Sequence, residues 1–383
     1  MASDRYVLHI SFKRLLVGLL LTVIPISLAG LFSLSRSDRA LERAIGEHFK
    51  TIADSTASEV AHHIHERVKA AGALALTPTI ADAVRQGNRS WAGMSPQGIS
   101  DKMDATEKIW NAPAGEAMVS QILGNPGSRM LRRFREMDPQ FLRITVTDVR
   151  GAVVAASHKT LDYFQADEEF WQAIYASGRG AISITDILSD EVTHSNYIGI
   201  GVPVVEEGTG QFIGALDALV DVSSVAPIIE RVKLGPTSRV QLVKDDGTII
   251  TAPGVTLSMN LKSEEYAAIQ DAMRTAEGQQ TGYVVSVLPS GRSSVLAFAD
   301  TGLKRDYRNL GWLILVCQET REAFAPVRFT NRLLSFMALI GLIAVTILTV
   351  VFALHRRPAY TDFAALAKPT SAKPAEESEV SSE

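Results

Sequence analysis

Acidic and aromatic side chains near the middle of the chain could form a binding site for an amine or another cationic small molecule. Asp217 lies in the apolar segment IGALDALV, and a carboxylate buried there needs a ligand ammonium group or a protein donor as its partner. Trp171 could supply the aromatic wall that ligand pockets commonly have. Glu169 and Asp217 together would make the pocket negative. The six candidate ligand-binding residues are Tyr163, Glu169, Trp171, Asp186, Tyr197 and Asp217.

These residues also have structural interpretations, which the sequence leaves open. Glu169 ends the acidic run DEE, which is typical of a helix start, where carboxylates cap free N–H groups and interact favourably with the helix dipole. Trp171 would equally suit a hydrophobic core. Asp186 follows the short segment AISIT and could be an ordinary loop aspartate, and Asp217 could be held by a donor from the protein itself.

The sequence carries no recognisable catalytic or metal-binding pattern. It lacks a nucleophile motif, a phosphate-binding glycine loop and a paired-carboxylate motif. His62 and Glu66 are four residues apart and could share a metal ion, but a solvated helix face is the favoured interpretation. The same holds for Asp190, Glu191 and His194 in a predicted loop. We therefore predict a protein that is not an enzyme and has no metal and no cofactor.

The elements that would position the candidate site are predicted to form two α+β modules in tandem. A helical pattern runs from Ser35 to about Asn88, with a new helix starting at Thr77-Pro78, and a further helix covers Lys102–Ile122. Two sets of alternating apolar segments then follow, about a hundred residues apart, and each contains an early and a late hairpin. The predicted strands are Phe141–Thr147, Ala152–Ser157, Tyr197–Val205 and Gln211–Val220 in the first module, and Val240–Val243, Thr248–Ala252, Ser294–Asp300 and Leu310–Gln318 in the second.

Two apolar stretches bracket these modules. Leu15–Leu34 and Leu333–Leu354 each have about the ~20 residues that a helix needs to cross a bilayer. Basic residues beside them, such as Arg14 and Arg356, place both termini in the cytoplasm, although a cleaved signal peptide is an alternative for the first stretch. The predicted order is a cytoplasmic N-terminus at 1–14, a transmembrane helix at 15–34, an extracytoplasmic region at 35–332, a second transmembrane helix at 333–354 and a disordered cytoplasmic tail at 355–383.

Composition narrows the classes of partner. The chain has 38 basic and 42 acidic side chains, so it offers no basic field for nucleic acid. Cys317 is its single cysteine, and an exported domain with one thiol cannot form an internal disulfide. Its stability must therefore come from packing.

The order of elements resembles the double Cache sensor domains of bacterial chemoreceptors and sensor kinases. The most specific stretches are FLRITVTDVRGAVVAAS, YFQADEEFWQAIYASGRGAISITDI and IGIGVPVVEEGTGQFIGALDALVDV. The resemblance covers about Leu34–Leu354 and implies two PAS-like modules. We call them the distal module, at about 138–232, and the proximal module, at about 233–319. It also implies a homodimer, and a ligand pocket in the distal module in which Asp217 matches the aspartate that binds the ligand amine.

The chain departs from this family in two places. Amino-acid-sensing members carry an Arg-x-Trp-Tyr run whose arginine holds the ligand carboxylate, whereas here Glu169 and Gln172 flank Trp171 at the matching positions. Since glutamate cannot replace an arginine fork, recognition of an α-amino acid by that clamp is doubtful. The segment after the second apolar stretch, HRRPAYTDF, does not resemble the linker that leads to an output domain.

We therefore predict a two-pass protein of the inner membrane with its main domain in the periplasm. It would bind a small solute, an amine or other cationic molecule, in the distal module and relay binding to a separate membrane signalling protein. The alternative is a membrane scaffold that uses the Cache-like region to bind another protein. An accessible pocket would favour the sensor, whereas an exposed apolar patch would favour the scaffold.

Overall fold

The computed structural model describes residues 12–189, 195–255, 261–275 and 280–354 of the chain. Glu42–Ala325 forms one compact unit, and the described residues on either side belong to a second. Asp190, Glu191 and His194, considered above as metal ligands, lie outside the described residues. Among the described residues, no helix carries an apolar run long enough to cross a membrane. The spans at Leu15–Leu34 and Leu333–Leu354 stay predictions.

A long first helix and four shorter helices precede the first sheet. The long helix α1 buries one stripe of side chains at spacings of three and four residues, as a helix packed on one face requires. That stripe contains Phe49, Ala53, Ala57, Val60, Ile64, Val68 and Ala71. The helices are α1 (Phe12–Ala75), α2 (Pro78–Arg89), α3 (Pro96–Trp110), α4 (Glu116–Gly124) and α5 (Pro126–Met137).

Proline and capping residues define where three of these helices begin. Proline is the first residue of α2, α3 and α5, where its missing N–H has no partner to lose. The Ser95 side chain accepts a hydrogen bond from the Gly98 N–H, and that of Asn125 accepts one from Ser128. The new helix predicted at Thr77-Pro78 is observed as α2.

The distal module is built on an antiparallel sheet with the strand order β2-β1-β6-β5-β3, in which β4 also pairs with β5. The long strands β1, β5 and β6 lie in its centre, and their side chains are mostly buried on both faces. Its elements are β1 (Phe141–Asp148), β2 (Val153–Ala156), α6 (Glu169–Tyr175), β3 (Ser183–Ile184), β4 (Leu188–Ser189), β5 (Asn196–Val205), β6 (Phe212–Asp221) and α7 (Ala226–Glu230).

The proximal module repeats this arrangement in a sheet of order β8-β7-β11-β10-β9. In each module the early hairpin turns at a glycine of positive φ, +84° at Gly151 and +83° at Gly247, which other residues rarely adopt. The elements from here to the end of the described chain are β7 (Arg239–Lys244), β8 (Ile249–Thr251), α8 (Glu264–Thr275), β9 (Thr281–Val287), β10 (Ser293–Asp300), α9 (Leu303–Asp306), β11 (Trp312–Glu319), α10 (Thr320–Ala323) and α11 (Ala325–Leu354).

The predicted α+β class, with a long first helix and two antiparallel sheets, is confirmed. Three elements of the proximal module, α8, β9 and the short α9, were not predicted. Side chains of β9 are half-buried or exposed, so the strand lacks the clear alternation of a strand with one buried face.

Candidate functional site

A cavity of about 610 Å³ opens in the distal module between the sheet, the start of α6 and the loop that precedes it. Its lining carries more acidic than basic side chains. The charged residues in its wall are Arg143, Asp162, Glu168, Glu169, Asp186 and Asp217. Four of the six predicted ligand-binding residues lie in this wall, namely Glu169, Asp186, Tyr197 and Asp217.

Asp217 forms the buried part of this wall. It lies on β6 opposite Thr145 on β1 and Gly201 on β5, and only 7% of its surface is exposed. Among the described residues, no side chain or backbone group forms a hydrogen bond or an ion pair with its carboxylate. Burial raises the pKa of Asp217 to about 7, and the positive charge of Arg143 acts in the opposite direction. An unpartnered buried carboxylate is expensive unless it is protonated or finds a cation.

A glycine helps to keep the space beside Asp217 open. Gly199 lies on β5 in the cavity wall. A Cβ atom at this position would lie 3.2 Å from Thr185 Cγ2 and 3.4 Å from Asp217 Oδ1. A larger side chain at 199 would therefore extend into the cavity next to the carboxylate.

The other three predicted residues in the wall are less buried. Glu169 is the exposed first residue of α6, and Tyr197 lies near the start of β5. Asp186 already has a partner, because its Oδ2 lies 2.8 Å from Nζ of Lys244 in the proximal module. Asp186 therefore joins the cavity to the second sheet, in addition to any role toward a ligand.

Trp171 and Tyr163 do not line the cavity. The Trp171 indole donates a hydrogen bond of 2.9 Å to Thr147 Oγ1 and stacks on Tyr175, with a centroid distance of 5.1 Å. The Tyr163 ring packs on Trp110 at 5.3 Å, and burial raises its pKa to about 12. Both positions agree with a core role, and their ligand-binding role stays a prediction without support from this cavity.

Sequence reasoning missed two charged residues of the wall, Arg143 and Asp162, and favoured a helix-start role for a third, Glu168. Arg143 is the third residue of β1, and its Nε is buried without a hydrogen-bond partner. Asp162 and Glu168 flank the entry of the chain into α6. The pKa of Glu168 is raised by partial burial and by the negative charges of Asp162 and Asp167. Arg143 carried the same sequence signal as Asp217, a charge inside an apolar strand.

The proximal module contributes to the wall as well. Asn309 lines the cavity and donates a hydrogen bond of 2.8 Å to the Ile184 carbonyl, which belongs to β3. Asp186, two residues after Ile184, forms its ion pair with Lys244 of the proximal module. The cavity wall therefore includes Asn309 of the proximal module and contacts Lys244 of that module through Asp186.

Of the His62 and Glu66 pair considered above as metal ligands, Glu66 already has a protein partner, because its Oε1 accepts a hydrogen bond of 2.8 Å from Lys69 Nζ. Two neighbouring histidines of the same helix also have partners. His63 Nε2 lies 3.0 Å from Ser224 Oγ, just after β6. His65 contacts the Ala61 carbonyl at 2.8 Å and Asp306 of the proximal module at 3.1 Å. Within the described part of the chain, no group of three or more His, Cys, Asp or Glu side chains could hold a metal ion.

A second cavity, of about 640 Å³, lies among the helices next to the distal sheet. Trp110, Leu123, Glu116, Arg132 and Lys159 are among its lining residues. None of the six predicted residues lines it. Its basic groups are partly or fully exposed, and Arg132 donates to the Leu123 carbonyl at 2.7 Å, so it contains no charge that demands a ligand.

Comparison with known proteins gives one family and a set of distant structural neighbours. A family model described as Cache domain matches residues 37–327. The ligand-binding domain of the Pseudomonas aeruginosa PAO1 amino acid chemoreceptor PctB, in complex with L-Arg, is 18% identical with a TM-score of 0.43, and covers 75% of this chain and 92% of that chain. The corresponding domain of chemoreceptor PctC from the same organism, in complex with GABA, is 15% identical with a TM-score of 0.44, and covers 72% and 99%.

A third structure is that of the Pseudomonas fluorescens chemoreceptor CtaA in complex with L-isoleucine. Its ligand-binding domain is 14% identical with a TM-score of 0.44, and covers 76% of this chain and 98% of that chain. No curated protein matches the sequence of this chain.

Proposed function

The chain belongs to the Cache domain family, and we propose that it is a sensor whose distal module binds a small solute with a cationic group. The observation that carries this proposal is the unpartnered carboxylate of Asp217 in the wall of a cavity of about 610 Å³. A cavity of this size suits a small molecule. We propose binding rather than catalysis, because the family is one of sensor domains.

An ammonium group fits the chemistry of this site. When ionised, Asp217 would accept hydrogen bonds from the ammonium and recover the solvation that burial removed. Asp162, Glu168 and Glu169 line the same cavity and would raise the local concentration of a cation at its mouth. Phe170 and Tyr197 offer apolar ring surface for the rest of the solute.

The relay of binding would begin where the cavity contacts the proximal module. Asn309 and Lys244 hold Ile184 and Asp186, which are both wall residues. A solute that prefers one arrangement of this wall would shift the population of the whole unit toward it. The recipient would be a separate membrane signalling protein, and the chain would act as a homodimer.

Membrane anchoring is the part of the proposal that rests on the sequence alone. The apolar stretches Leu15–Leu34 and Leu333–Leu354 would span the inner membrane, leaving the compact unit in the periplasm and both termini in the cytoplasm. Cys317 is buried, so labelling of an introduced cysteine can be read against a low background. We expect an impermeant maleimide to label Asp54→Cys in intact spheroplasts and Ser381→Cys only after permeabilisation. Labelling of Ser381→Cys from outside would contradict this topology.

A thermal-shift screen of the full chain in detergent tests the binding proposal. Amines, amino acids, organic acids and purines are compared, because a solute that binds the native state raises the melting temperature by mass action. We expect hits that carry an amine, and we expect Asp217→Asn to weaken their binding strongly. Asp221→Asn is the matched control, because Asp221 ends the same strand outside the cavity and caps Ser223 at 2.8 Å. Organic acids as the only hits would contradict a cationic ligand, and no hits would favour the scaffold.

A further inference from the structure

The cavity wall holds a second charge that lacks a partner among the described residues, the guanidinium of the half-buried Arg143. Arginine stays ionised at every physiological pH, so it cannot avoid the cost of burial by losing its proton. The Nε atom of Arg143 is buried without a hydrogen-bond partner. In the ranges that the structure describes, no carboxylate lies within ion-pair distance of this side chain. A buried donor without an acceptor is expensive, so this group calls for an anion.

The proximal module carries an arginine at the equivalent place. Arg143 lies five residues before Asp148, and Arg239 lies five residues before Lys244. The N–H groups of Asp148 and Lys244 close the two hairpin turns, by bonding to the carbonyls of Ala152 and Thr248 at 2.9 and 2.8 Å. Each arginine also lies opposite the last long strand of its sheet, Arg143 beside Leu219 and Arg239 beside Cys317. The two side chains therefore extend from the same position of the repeated fold.

In the proximal module the equivalent arginine, Arg239, forms ion pairs with two carboxylates of the same module. Arg239 Nη2 lies 2.8 Å from Glu265 Oε1 and 3.3 Å from Glu264 Oε1, at the start of α8. Only 1% of Glu265 is exposed, and its Oε2 accepts hydrogen bonds of 3.1 Å from Gln241 and Ser263. The Glu265 carboxylate is thus enclosed by polar donors, as a bound anion would be.

Among its described residues, the distal module has no such internal carboxylate at Arg143. Glu168 and Glu169 stand at the start of the matching helix α6, but both are exposed and neither is paired with Arg143. We infer that Arg143 binds a carboxylate of the solute, which takes the place that Glu265 occupies beside Arg239 in the proximal module. Asp217 lies one step diagonally across the sheet from Arg143, since Thr145 faces Asp217 and Arg143 faces Leu219. Diagonal neighbours are ~7 Å apart, which leaves room for a solute between the two charges.

This inference rests on the proposed binding of an amine at Asp217, and a set of matched probes separates the two. Each probe skeleton is offered in three forms, as the amino acid, as its amide and as the decarboxylated amine. The skeletons are leucine, arginine and 4-aminobutanoate, and binding to the full chain in detergent is measured by calorimetry. We expect amino acids to bind about 100-fold more tightly than their amides, because the amide loses the ion pair with the half-buried Arg143.

Variants at Arg143 should change the ratio of acid affinity to amide affinity, which a purely structural role would leave unchanged. Arg143→Gln is expected to remove the preference for the acid over the amide, and Arg143→Lys to retain about a tenth of it, because a lysine cannot form the two-pronged contact. Asp217→Asn should instead weaken all forms that carry an amine and leave the acid-to-amide ratio intact. Arg239→Lys, which keeps a positive charge beside Glu265, is the matched control for Arg143→Lys and should leave the ratio unchanged.

The outcomes distinguish the carboxylate-binding role of Arg143 from the amine-binding role of Asp217. Amides and simple amines that bind as tightly as the amino acids would overturn the role of Arg143 and leave the amine site standing. A preference for the acid that survives in Arg143→Gln would also overturn it. Binding by no probe of any form would overturn the proposed function, and this inference with it.

Discussion

The two modules place different side chains on the sheet face that their first helix covers. The distal module has Asp217 on β6, and the equivalent position on β11 is Leu315, since Thr145 and Gln241 occupy matching positions on the partner strands. Leu315 is buried in an apolar core that includes Ile269 of α8. Where the distal module has the carboxylate of Asp217, which needs a partner, the proximal module has Leu315, which packs in an apolar core.

The next strand shows the same contrast in volume. Gly199 and Gly201 on β5 lie opposite Leu219 and Asp217, whereas the matching positions on β10 are Leu296 and Phe298. Both proximal side chains belong to the buried core. In the distal module Ile174 fills the space above Gly201, and the space beside Gly199 remains as cavity. A repeated fold therefore becomes a binding site or a packed support according to a few side chains on one face.

The largest effect should come from removing the internal carboxylate of the proximal module. Glu265→Ala removes the buried carboxylate beside Arg239 and Gln241. We expect a loss of about 3 kcal/mol in the free energy of unfolding, the low end for a broken buried pair, because Arg239 is 37% exposed and keeps Glu264 at 3.3 Å. Urea denaturation of the full chain, followed by circular dichroism, measures this loss. Added acetate should restore part of it by occupying the space of the lost carboxylate.

Glu169→Ala is the matched change in the distal module. Glu169 is exposed and has no hydrogen bond or ion pair with the residues that the structure describes, so we expect a change within about 0.5 kcal/mol. Equal losses in Glu265→Ala and Glu169→Ala would show that the two modules do not differ in the way proposed.

Filling the distal cavity should convert it toward the proximal pattern. Gly199→Leu places the residue found at 296 beside Asp217, where even a Cβ would lie 3.4 Å from Oδ1. We expect solute binding to weaken by at least about 100-fold, because the cavity loses the volume that the solute needs. Calorimetry measures the affinity, and an unchanged circular dichroism spectrum controls for folding. Undiminished binding in Gly199→Leu would place the site elsewhere, for instance in the second cavity.

Binding should depend on pH in a way that only the distal module can produce. The pKa of Asp217 is raised by burial to about 7, and the ammonium needs the ionised form. Affinity should therefore fall by about tenfold for each pH unit below 7 and level off above it. In Asp217→Asn the slope should vanish. A pH-independent affinity in the wild type would contradict a carboxylate contact.

The same group predicts how the ligand-free protein responds to pH. Because the folded pKa of Asp217 lies above the ordinary 3.8, the unfolded chain loses this proton first. The contribution of Asp217 to stability is then greatest at low pH and is lost as the pH rises from about 4 to about 7. Comparison of wild type and Asp217→Asn by denaturation at each pH isolates it from other carboxylates. An identical pH profile for both proteins would contradict the burial of this carboxylate.

The smallest effect is expected at the contact between the modules. Lys244→Ala removes the partner of Asp186, a half-exposed pair worth about 0.5 kcal/mol of stability or less. If this contact transmits binding, affinity should still change by about threefold. Lys262→Ala is the control, because Lys262 forms a similar 2.8 Å pair with Asp246 within the proximal module. Equal effects of the two variants on affinity would argue against transmission through Asp186.

The repeated order of hairpins could be predicted from the sequence because each strand alternates or is continuously apolar and each turn has a glycine. The pattern failed at β9, whose partly exposed side chains resemble those of a loop. Its pairing with β10 along seven positions, from Ser293 to Ala299, is a long-range fact that local patterns do not carry.

The candidate site was predictable only in part. Asp217 could be found because a carboxylate in an apolar strand needs a partner. The aromatic ring of Trp171 suggested a pocket wall, but its indole N–H donates a hydrogen bond to Thr147 on β1, a residue that does not line the cavity. Arg143 carries the same local signal as Asp217, a charge in an apolar strand, but that signal does not show that Arg143 lacks the carboxylate partner that Arg239 has. That difference is visible only when the two modules are compared in three dimensions.

The most direct test of the account is a calorimetric titration of the full chain with the best amine-bearing probe, repeated in one variant of each module. We predict one bound probe per chain, binding weakened by about 100-fold in Asp217→Asn, and binding retained in Glu265→Gln, which keeps the shape of the proximal site. Two bound probes per chain, or loss of binding in Glu265→Gln with retention in Asp217→Asn, would contradict the assignment of the distal module as the binding module.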